Sequence, residues 1–175
     1  MASEIQHLAG QIRSVPDFPK KGIDFKDITT LLLDGPAFGR VVDHFAERYA
    51  DKAVDAVVAV EARGFIIGGA LAYKLGAGFI PVRKKGKLPY KTYEVTYDLE
   101  YGTETIAIHQ DALEPGQNVV VLDDLLATGG TTKAVLELVE RFGAKVLEVA
   151  FLIELTFLKG KERLTSYPVY SAIEL

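Results

Sequence analysis

The apolar residues of the chain form short unbroken runs, and stretches of helical spacing separate several of them. Four aliphatic runs are typical of strands buried on both faces. They span residues 56–60, 78–82, 119–122 and 145–153. Apolar residues recur three and four positions apart over 65–75 and 133–141, which indicates helices packed on a sheet. Strand and helix in alternation predict an α/β fold with a central, mostly parallel sheet flanked by helices.

The remaining segments carry weaker patterns. Residues 3–14 place apolar positions on one helical face, which predicts a short amphipathic helix, and 20–28 have no clean period, which predicts a loop. Asp-Gly-Pro at 34–36 is typical of a helix start and leads into apolar positions at helical spacing as far as Tyr49. Residues 93–101 alternate and predict a hairpin arm that returns at 105–109. The segment 167–173 fits either a closing edge strand or part of a small hood.

Two adjacent carboxylates, Asp123 and Asp124, follow the apolar run 119–122, and a loop of small residues comes after them. We expect the acids to end the strand in a solvent-facing turn. The paired glycines Gly129 and Gly130 allow backbone N–H groups to face an anion, and a helix N-terminus adds partial positive charge. Carboxylates repel a phosphate, so the acids should accept hydrogen bonds from hydroxyl groups instead. A phosphate beside a diol predicts a ribose 5-phosphate ligand.

Other interpretations of this loop exist. Two glycines that open a helix after a buried strand are ordinary in α/β proteins and need not bind phosphate. The glycines are not followed by Lys-Ser or Lys-Thr, and Gly-x-Gly-x-x-Gly occurs nowhere, which disfavours nucleoside triphosphatase and dinucleotide-binding loops.

Charged residues also follow two of the other predicted strands. Glu61 and Arg63 come after the run 56–60, and five cations lie within residues 83–91. Each group could simply be a solvated loop. Because ligands gather at the carboxyl ends of parallel strands, the groups could instead share one crevice with the acid pair and bind a second, more anionic group.

Composition narrows the class of protein. The net charge of -4 and the absence of a long basic run argue against a protein that binds nucleic acid. The chain has no cysteine, which excludes disulfides and thiolate metal sites. Its three histidines are isolated, so a histidine-built metal site is not expected. No apolar run approaches the roughly 18 residues of a membrane span, and we expect no membrane partner and a cytoplasmic protein.

The segment 119–132, with Asp-Asp-Leu-Leu-Ala-Thr-Gly-Gly-Thr at its centre, resembles the phosphoribosyl pyrophosphate signature of the type I phosphoribosyltransferases, in particular the members that use adenine. The resemblance extends over nearly the full length through at least four motifs. It implies one domain, 1–175, with an N-terminal helix and adenine-binding hood segment at 1–33 and a flexible catalytic loop at 84–104. It also implies a non-proline cis peptide near Glu61 and Ala62.

The resemblance assigns roles to individual residues. The diol of the ribose falls to Asp123 and Asp124, and the motif Leu-Glu-Tyr-Gly makes Glu100 the acid/base for the purine. The 5-phosphate loop comprises Ala127, Thr128, Gly129, Gly130 and Thr131. The pyrophosphate ligands are Arg63, Arg83, Lys84 and Lys87. The adenine-binding residues are Asp24, Phe25, Lys26 and Leu155, with Phe25 against the purine ring.

The activity implied is the conversion of adenine and 5-phosphoribosyl 1-pyrophosphate into AMP and pyrophosphate. The resemblance also implies a Mg²⁺ cofactor held mainly by substrate and water, and a homodimer. Two alternatives stay open. The base could be hypoxanthine, guanine, xanthine or a pyrimidine, although 6-oxopurine relatives usually carry an acid at the position of Ala127. The chain could also be a non-catalytic regulator that senses phosphoribosyl pyrophosphate.

Overall fold

The computed structural model describes residues 5–98 and 102–175. Within these residues the strands are β1 (Arg13–Pro16), β2 (Asp24–Asp27), β3 (Ala56–Val60), β4 (Gly78–Lys84), β5 (Thr92–Asp98), β6 (Thr103–His109), β7 (Asn118–Leu126), β8 (Lys145–Glu154) and β9 (Val169–Glu174). The α-helices are α1 (Thr29–Leu33), α2 (Gly35–Tyr49), α3 (Arg63–Leu75) and α4 (Gly130–Glu140). Short 3-10 helices cover His7–Gln11, Thr156–Leu158 and Gly160–Arg163.

The central sheet has the strand order β5-β6-β4-β3-β7-β8-β9. Strands β4, β3, β7, β8 and β9 are parallel to their neighbours, while the β5–β6 hairpin adds to β4 antiparallel. The predicted mostly parallel α/β sheet is therefore confirmed. The four aliphatic runs form β3, β4, β7 and β8, and 167–173 supplies the edge strand β9 rather than a part of a hood.

Alternate residues of the central strands face two separate cores, which explains the unbroken aliphatic runs. On one face, Val57 of β3 and Val120 of β7 pack with helices α2 and α3. On the other face, Val58 and Val121 pack with Val135 and its neighbours in α4. Helix α2 begins where the sequence predicts, because the Asp34 carboxylate accepts a hydrogen bond from the Ala37 N–H at 3.1 Å.

The prediction that the acid pair ends its strand is wrong. Strand β7 continues through Asp123 and Asp124 to Leu126, which is paired with Glu154 of β8. Asp124 is buried, with 5% of its surface exposed, so the pair does not form a solvent-facing turn. The parallel partner β8 is apolar from Val149 to Ile153 and keeps β7 extended past the acids, a contact that local sequence does not show.

The N-terminal predictions need correction. Within the described residues the expected helix at 3–14 is helical over 5–11, with 3-10 geometry at His7–Gln11, but it stops there because Arg13–Pro16 is strand β1. The expected loop 20–28 contains strand β2, antiparallel to β1. Two four-residue strands with charged side chains show no clear alternation, and the pairing comes from contact between distant segments. Residues 1–4 lie outside the described part of the chain.

The predicted hairpin is confirmed, with β5 paired to β6 from Thr92 and His109 to Asp98 and Thr103. Much of the segment 84–104 is therefore strand rather than loop, and its flexibility stays a prediction. Glu100 falls outside the described residues. Among the residues described, no helix is both long and apolar enough to cross a lipid bilayer.

Candidate active site

A cavity of about 300 Å³ lies at the carboxyl ends of β3, β4 and β7, with the β5–β6 hairpin along one side. Its lining contains most of the charged groups that the sequence singled out. The charged and hydroxyl-bearing lining residues are Glu61, Arg63, Arg83, Lys84, Tyr97, Glu104, Asp123, Asp124 and Thr131. Four carboxylates therefore face three cations in one crevice, as expected at the carboxyl ends of parallel strands.

The acid pair is held by the start of helix α3. Arg63 Nε lies 2.8 Å from Asp124 Oδ2, an ion pair at the floor of the cavity. Burial raises the pKa of Asp123, and the neighbouring Asp124 charge raises it further. Burial also raises the pKa of Asp124, although Arg63 opposes the shift. Gly64 lets the helix approach, because a Cβ there would lie 2.9 Å from Asp123 Oδ1.

Arg63 also connects this pair to the hood segment. Its Nη1 donates to the Lys26 carbonyl at 3.1 Å, and its guanidinium carbon lies 4.8 Å from the centre of the Phe25 ring. Lys26 is in turn paired with Asp24 at 2.7 Å. The predicted base-binding residues of β2 are thus adjacent to the predicted sugar-binding acids, although they do not line the cavity itself.

Glu61 is paired with one of the cations at the end of β4, Arg83, and with the backbone of the next residue. Its carboxylate accepts from Arg83 Nε at 3.0 Å and from the Lys84 backbone N–H at 2.6 Å. Burial opposes ionisation of Glu61, but these two donors outweigh it and the pKa is lowered. The peptide between Glu61 and Ala62 is cis, which confirms the expectation from the resemblance. Lys87 contributes its carbonyl to Arg83 at 3.0 Å, while its side chain is not part of the lining.

The predicted phosphate loop joins β7 to α4. Gly129 has φ 81°, a left-handed conformation, and precedes the first residue of the helix. The loop packs on the 3-10 helix Gly160–Arg163 so closely that a Cβ at Gly129 would lie 2.7 Å from the Gly160 carbonyl oxygen. Of the predicted loop residues, Thr131 lines the cavity, whereas Ala127, Thr128, Gly129 and Gly130 lie beside it.

Leu155 is buried, 9% exposed, and follows β8 with its N–H bonded to the Leu126 carbonyl at 3.0 Å. Leu126 is the last residue of β7 and precedes the predicted phosphate loop, so Leu155 lies beside the start of that loop. Leu155 does not belong to the cavity lining. Its predicted contact with the base stays a prediction.

Sequence reasoning missed two residues of the site, Tyr97 and Glu104. Tyr97 Oη donates to Glu104 at 3.1 Å and lies 3.0 Å from Thr131 Oγ1, while Lys84 forms an ion pair with Glu104. Burial raises the pKa of Tyr97. Tyr97 belongs to a segment whose alternation suggested only a hairpin, and Glu104 precedes the predicted returning arm 105–109. The register that sets the two residues opposite each other is seen only in the structure.

A metal site made of protein side chains is not visible in the described part of the chain, where no three histidine or acidic residues cluster for that purpose. The carboxylates of the cavity are nevertheless the hard oxygen ligands that suit Mg²⁺. The lining has four carboxylates and three cations, and this surplus of negative charge fits a divalent ion that binds together with an anionic ligand.

The fold and the site define a phosphoribosyl-binding protein of the transferase type. The phosphoribosyl transferase domain model matches residues 29–172, and the chain belongs to this family. Within the family it belongs with the adenine phosphoribosyltransferases. It is 60% identical over 168 residues to the one from Roseiflexus sp. strain RS-1, with 96% of this chain and 98% of that protein covered. The one from Syntrophotalea carbinolica is 61% identical, with 97% and 99% covered.

The fold of this chain is also similar to solved structures of adenine phosphoribosyltransferases. Adenine phosphoribosyltransferase from Thermoanaerobacter pseudethanolicus superposes with a TM-score of 0.94 at 50% identity and covers 98% of this chain and 99% of its own. The Giardia lamblia enzyme, solved with 9-deazaadenine, has a TM-score of 0.93 at 38% identity, with 98% and 97% covered.

Proposed function

We propose that the chain transfers the phosphoribosyl group of 5-phosphoribosyl 1-pyrophosphate to adenine, which forms AMP and pyrophosphate in purine salvage. The observation that carries the proposal is the single cavity that brings together the acid pair, Thr131 of the phosphate loop and three cations. These groups match the three polar parts of the donor substrate: its diol, its 5-phosphate and its pyrophosphate. The similarity to adenine phosphoribosyltransferases supports adenine as the acceptor.

Departure of pyrophosphate leaves positive charge on the ribose ring, in an oxocarbenium-like transition state. Arg63, Arg83 and Lys84 would stabilise the leaving group, because charge that develops in a dry, preorganised site is stabilised most strongly there. The carboxylates of Asp123 and Asp124 would accept hydrogen bonds from the diol and fix the ring. The loop amides and Thr131 would hold the 5-phosphate at the N-terminus of α4.

We assign the base-binding role to the β1–β2 sheet. Phe25 lies against Arg63, and that arginine is paired with the diol-binding acid Asp124, so a purine on Phe25 would be close to the anomeric carbon. Glu100 would accept the proton that the adenine imidazole ring loses as it attacks. Mg²⁺ would be held mainly by the substrate and by water, and it would neutralise pyrophosphate charge.

A homodimer is the quaternary state that we propose. On helix α3, Ile66 and Tyr73 are 44% and 89% exposed and lie two helical turns apart on one face. Phe79 of β4 is also exposed and packs edge-on against Phe65 at 5.4 Å. A second copy covering this apolar face would remove it from water. Sedimentation of wild type and of Tyr73→Glu tests this: a wild-type monomer would contradict it.

A cytoplasmic location stays a prediction.

The reaction is tested by incubating the protein with MgCl₂, phosphoribosyl pyrophosphate and one base at a time, and separating the products by chromatography. We expect AMP from adenine and little nucleotide from hypoxanthine, guanine or xanthine. A nucleotide formed from another base in preference to AMP would overturn the assignment of adenine. Binding of phosphoribosyl pyrophosphate without turnover of any base would instead indicate the regulator alternative.

A further inference from the structure

Two neighbouring lysines are each paired with a glutamate of the β5–β6 hairpin, in different surroundings. Lys84 is paired with Glu104, and both line the cavity. Lys85 is paired with Glu94 at 2.7 Å, and neither residue belongs to the lining. The two pairs have the same chemistry, and only the first lies where the substrate anion is expected.

The Glu104 carboxylate is fixed from two sides. It accepts a hydrogen bond from Tyr97 at 3.1 Å in addition to the Lys84 ammonium, and 23% of its side chain is exposed. Tyr97 is itself anchored to Thr131 of the phosphate loop at 3.0 Å. Because an ionised carboxylate only accepts hydrogen bonds, Glu104 cannot bind an incoming phosphate and repels it.

The Lys84 ammonium is therefore occupied before substrate arrives. Its contact with Glu104 raises the pKa of Lys84, so the lysine stays positively charged and its charge is already balanced by the Glu104 carboxylate. A pyrophosphate group can use this cation only by displacing Glu104 or by sharing Lys84 with it. Either way, part of the attraction of Lys84 for the anion is lost.

We propose that Glu104 competes with the pyrophosphate group for Lys84 and thereby limits how tightly the enzyme holds pyrophosphate. The inference rests on the proposed function for the identity of the anion. Glu104 acts through Lys84 and is a positioning residue, with Tyr97 as its support. Weaker retention of pyrophosphate favours product release, and product release is the step that limits turnover in many enzymes.

The test compares Glu104→Gln with Glu94→Gln. Glutamine keeps the shape of Glu104 and can still accept from Tyr97, but it carries no charge. We expect the inhibition constant of inorganic pyrophosphate in the AMP-forming assay to fall by roughly fivefold to tenfold in Glu104→Gln, since a competing charge pair is removed. Glu94→Gln should behave like wild type. An unchanged or raised constant in Glu104→Gln, or an equal fall in both variants, would overturn the inference.

A double-mutant cycle separates this role from a general effect on the hairpin. Lys84→Met should weaken pyrophosphate binding, and adding Glu104→Gln to it should bring a smaller gain than in the wild-type background, because only the direct repulsion between Glu104 and the anion is then relieved. A gain as large in the Lys84→Met background as in wild type would contradict competition for Lys84. If wild type forms no AMP, the proposed function fails, and calorimetry with inorganic pyrophosphate on the same variants still tests the competition.

Discussion

Replacing Gly160 by alanine should displace the phosphate loop without disrupting the fold. A Cβ at Gly160 would lie 2.9 Å from Leu126 Cδ1 and 3.0 Å from its Cγ, and closer still to the Ala127 carbonyl oxygen. Real Cβ atoms essentially never come within 3.0 Å of such neighbours, so the loop or the 3-10 helix must move. Restoring ordinary contact requires a shift of roughly 1 Å.

Both stability and activity should respond. Overpacking of this kind costs about 1–3 kcal/mol, which corresponds to a fall of several degrees in Tm for a chain of this size. A misplacement of about 1 Å of groups that position a substrate can cost about 100-fold in rate. We therefore expect kcat/KM for phosphoribosyl pyrophosphate to fall by one to two orders of magnitude, measured by AMP formation at saturating adenine.

Gly39→Ala is the matched control. A Cβ at Gly39, inside helix α2, meets nothing within 4 Å, so this variant should keep wild-type kinetics and gain up to about 1 kcal/mol of stability. Wild-type kcat/KM in Gly160→Ala would refute the argument that the 3-10 helix Gly160–Arg163 sets the geometry of the phosphate loop.

Three further predictions concern charged groups. Asp124→Asn should lower kcat/KM and also lower stability by about 1–3 kcal/mol in a denaturant titration, because it removes the buried carboxylate that is paired with the partly exposed Arg63. Unchanged stability would refute the burial argument. Burial raises the pKa of Asp123, so its ionised form is lost as pH falls through a value above the ordinary carboxyl pKa of about 4. The acid limb of kcat/KM should therefore lie above pH ~4 and report one titration of the coupled pair Asp123 and Asp124. An acid limb at or below pH 4 would contradict this. Arg48→Met should destabilise by about 3–5 kcal/mol with KM unchanged, because Arg48 holds the buried Glu148 through bonds of 2.6 and 2.7 Å.

The control for the last of these is an exposed ion pair of the same type. Lys74 and Asp43 are 2.8 Å apart, with more than half of each side chain exposed. Lys74→Met should change the free energy of unfolding by less than about 1 kcal/mol, since solvent screens such pairs. Equal losses of unfolding free energy in Arg48→Met and Lys74→Met would mean that burial does not set the contribution of the Arg48–Glu148 pair to stability.

The central sheet could be predicted from the sequence because burial on both faces leaves a local mark. Residues 56–60 and 119–122 are apolar without interruption, since each strand contributes to two cores, and helical periodicity marks α3 and α4. The loop between β7 and α4 was also visible, because it contains the adjacent glycines Gly129 and Gly130, and Gly129 takes the left-handed conformation that glycine permits. These features depend on a few consecutive residues.

Pairing partners from distant parts of the chain decided the rest. Strand β7 continues through Asp123 because β8 lies beside it, and β2 is a strand because β1 pairs with it. Glu104 enters the site only through the pairing of β6 with both neighbours: the hairpin register brings it against Tyr97, and the pairing with β4 brings it near Lys84. Residue type and spacing therefore determined the sheet and the ligand to be expected. The charge balance of the cavity was decided by tertiary structure, because electrostatic partners are chosen by distance in space rather than by position in the sequence.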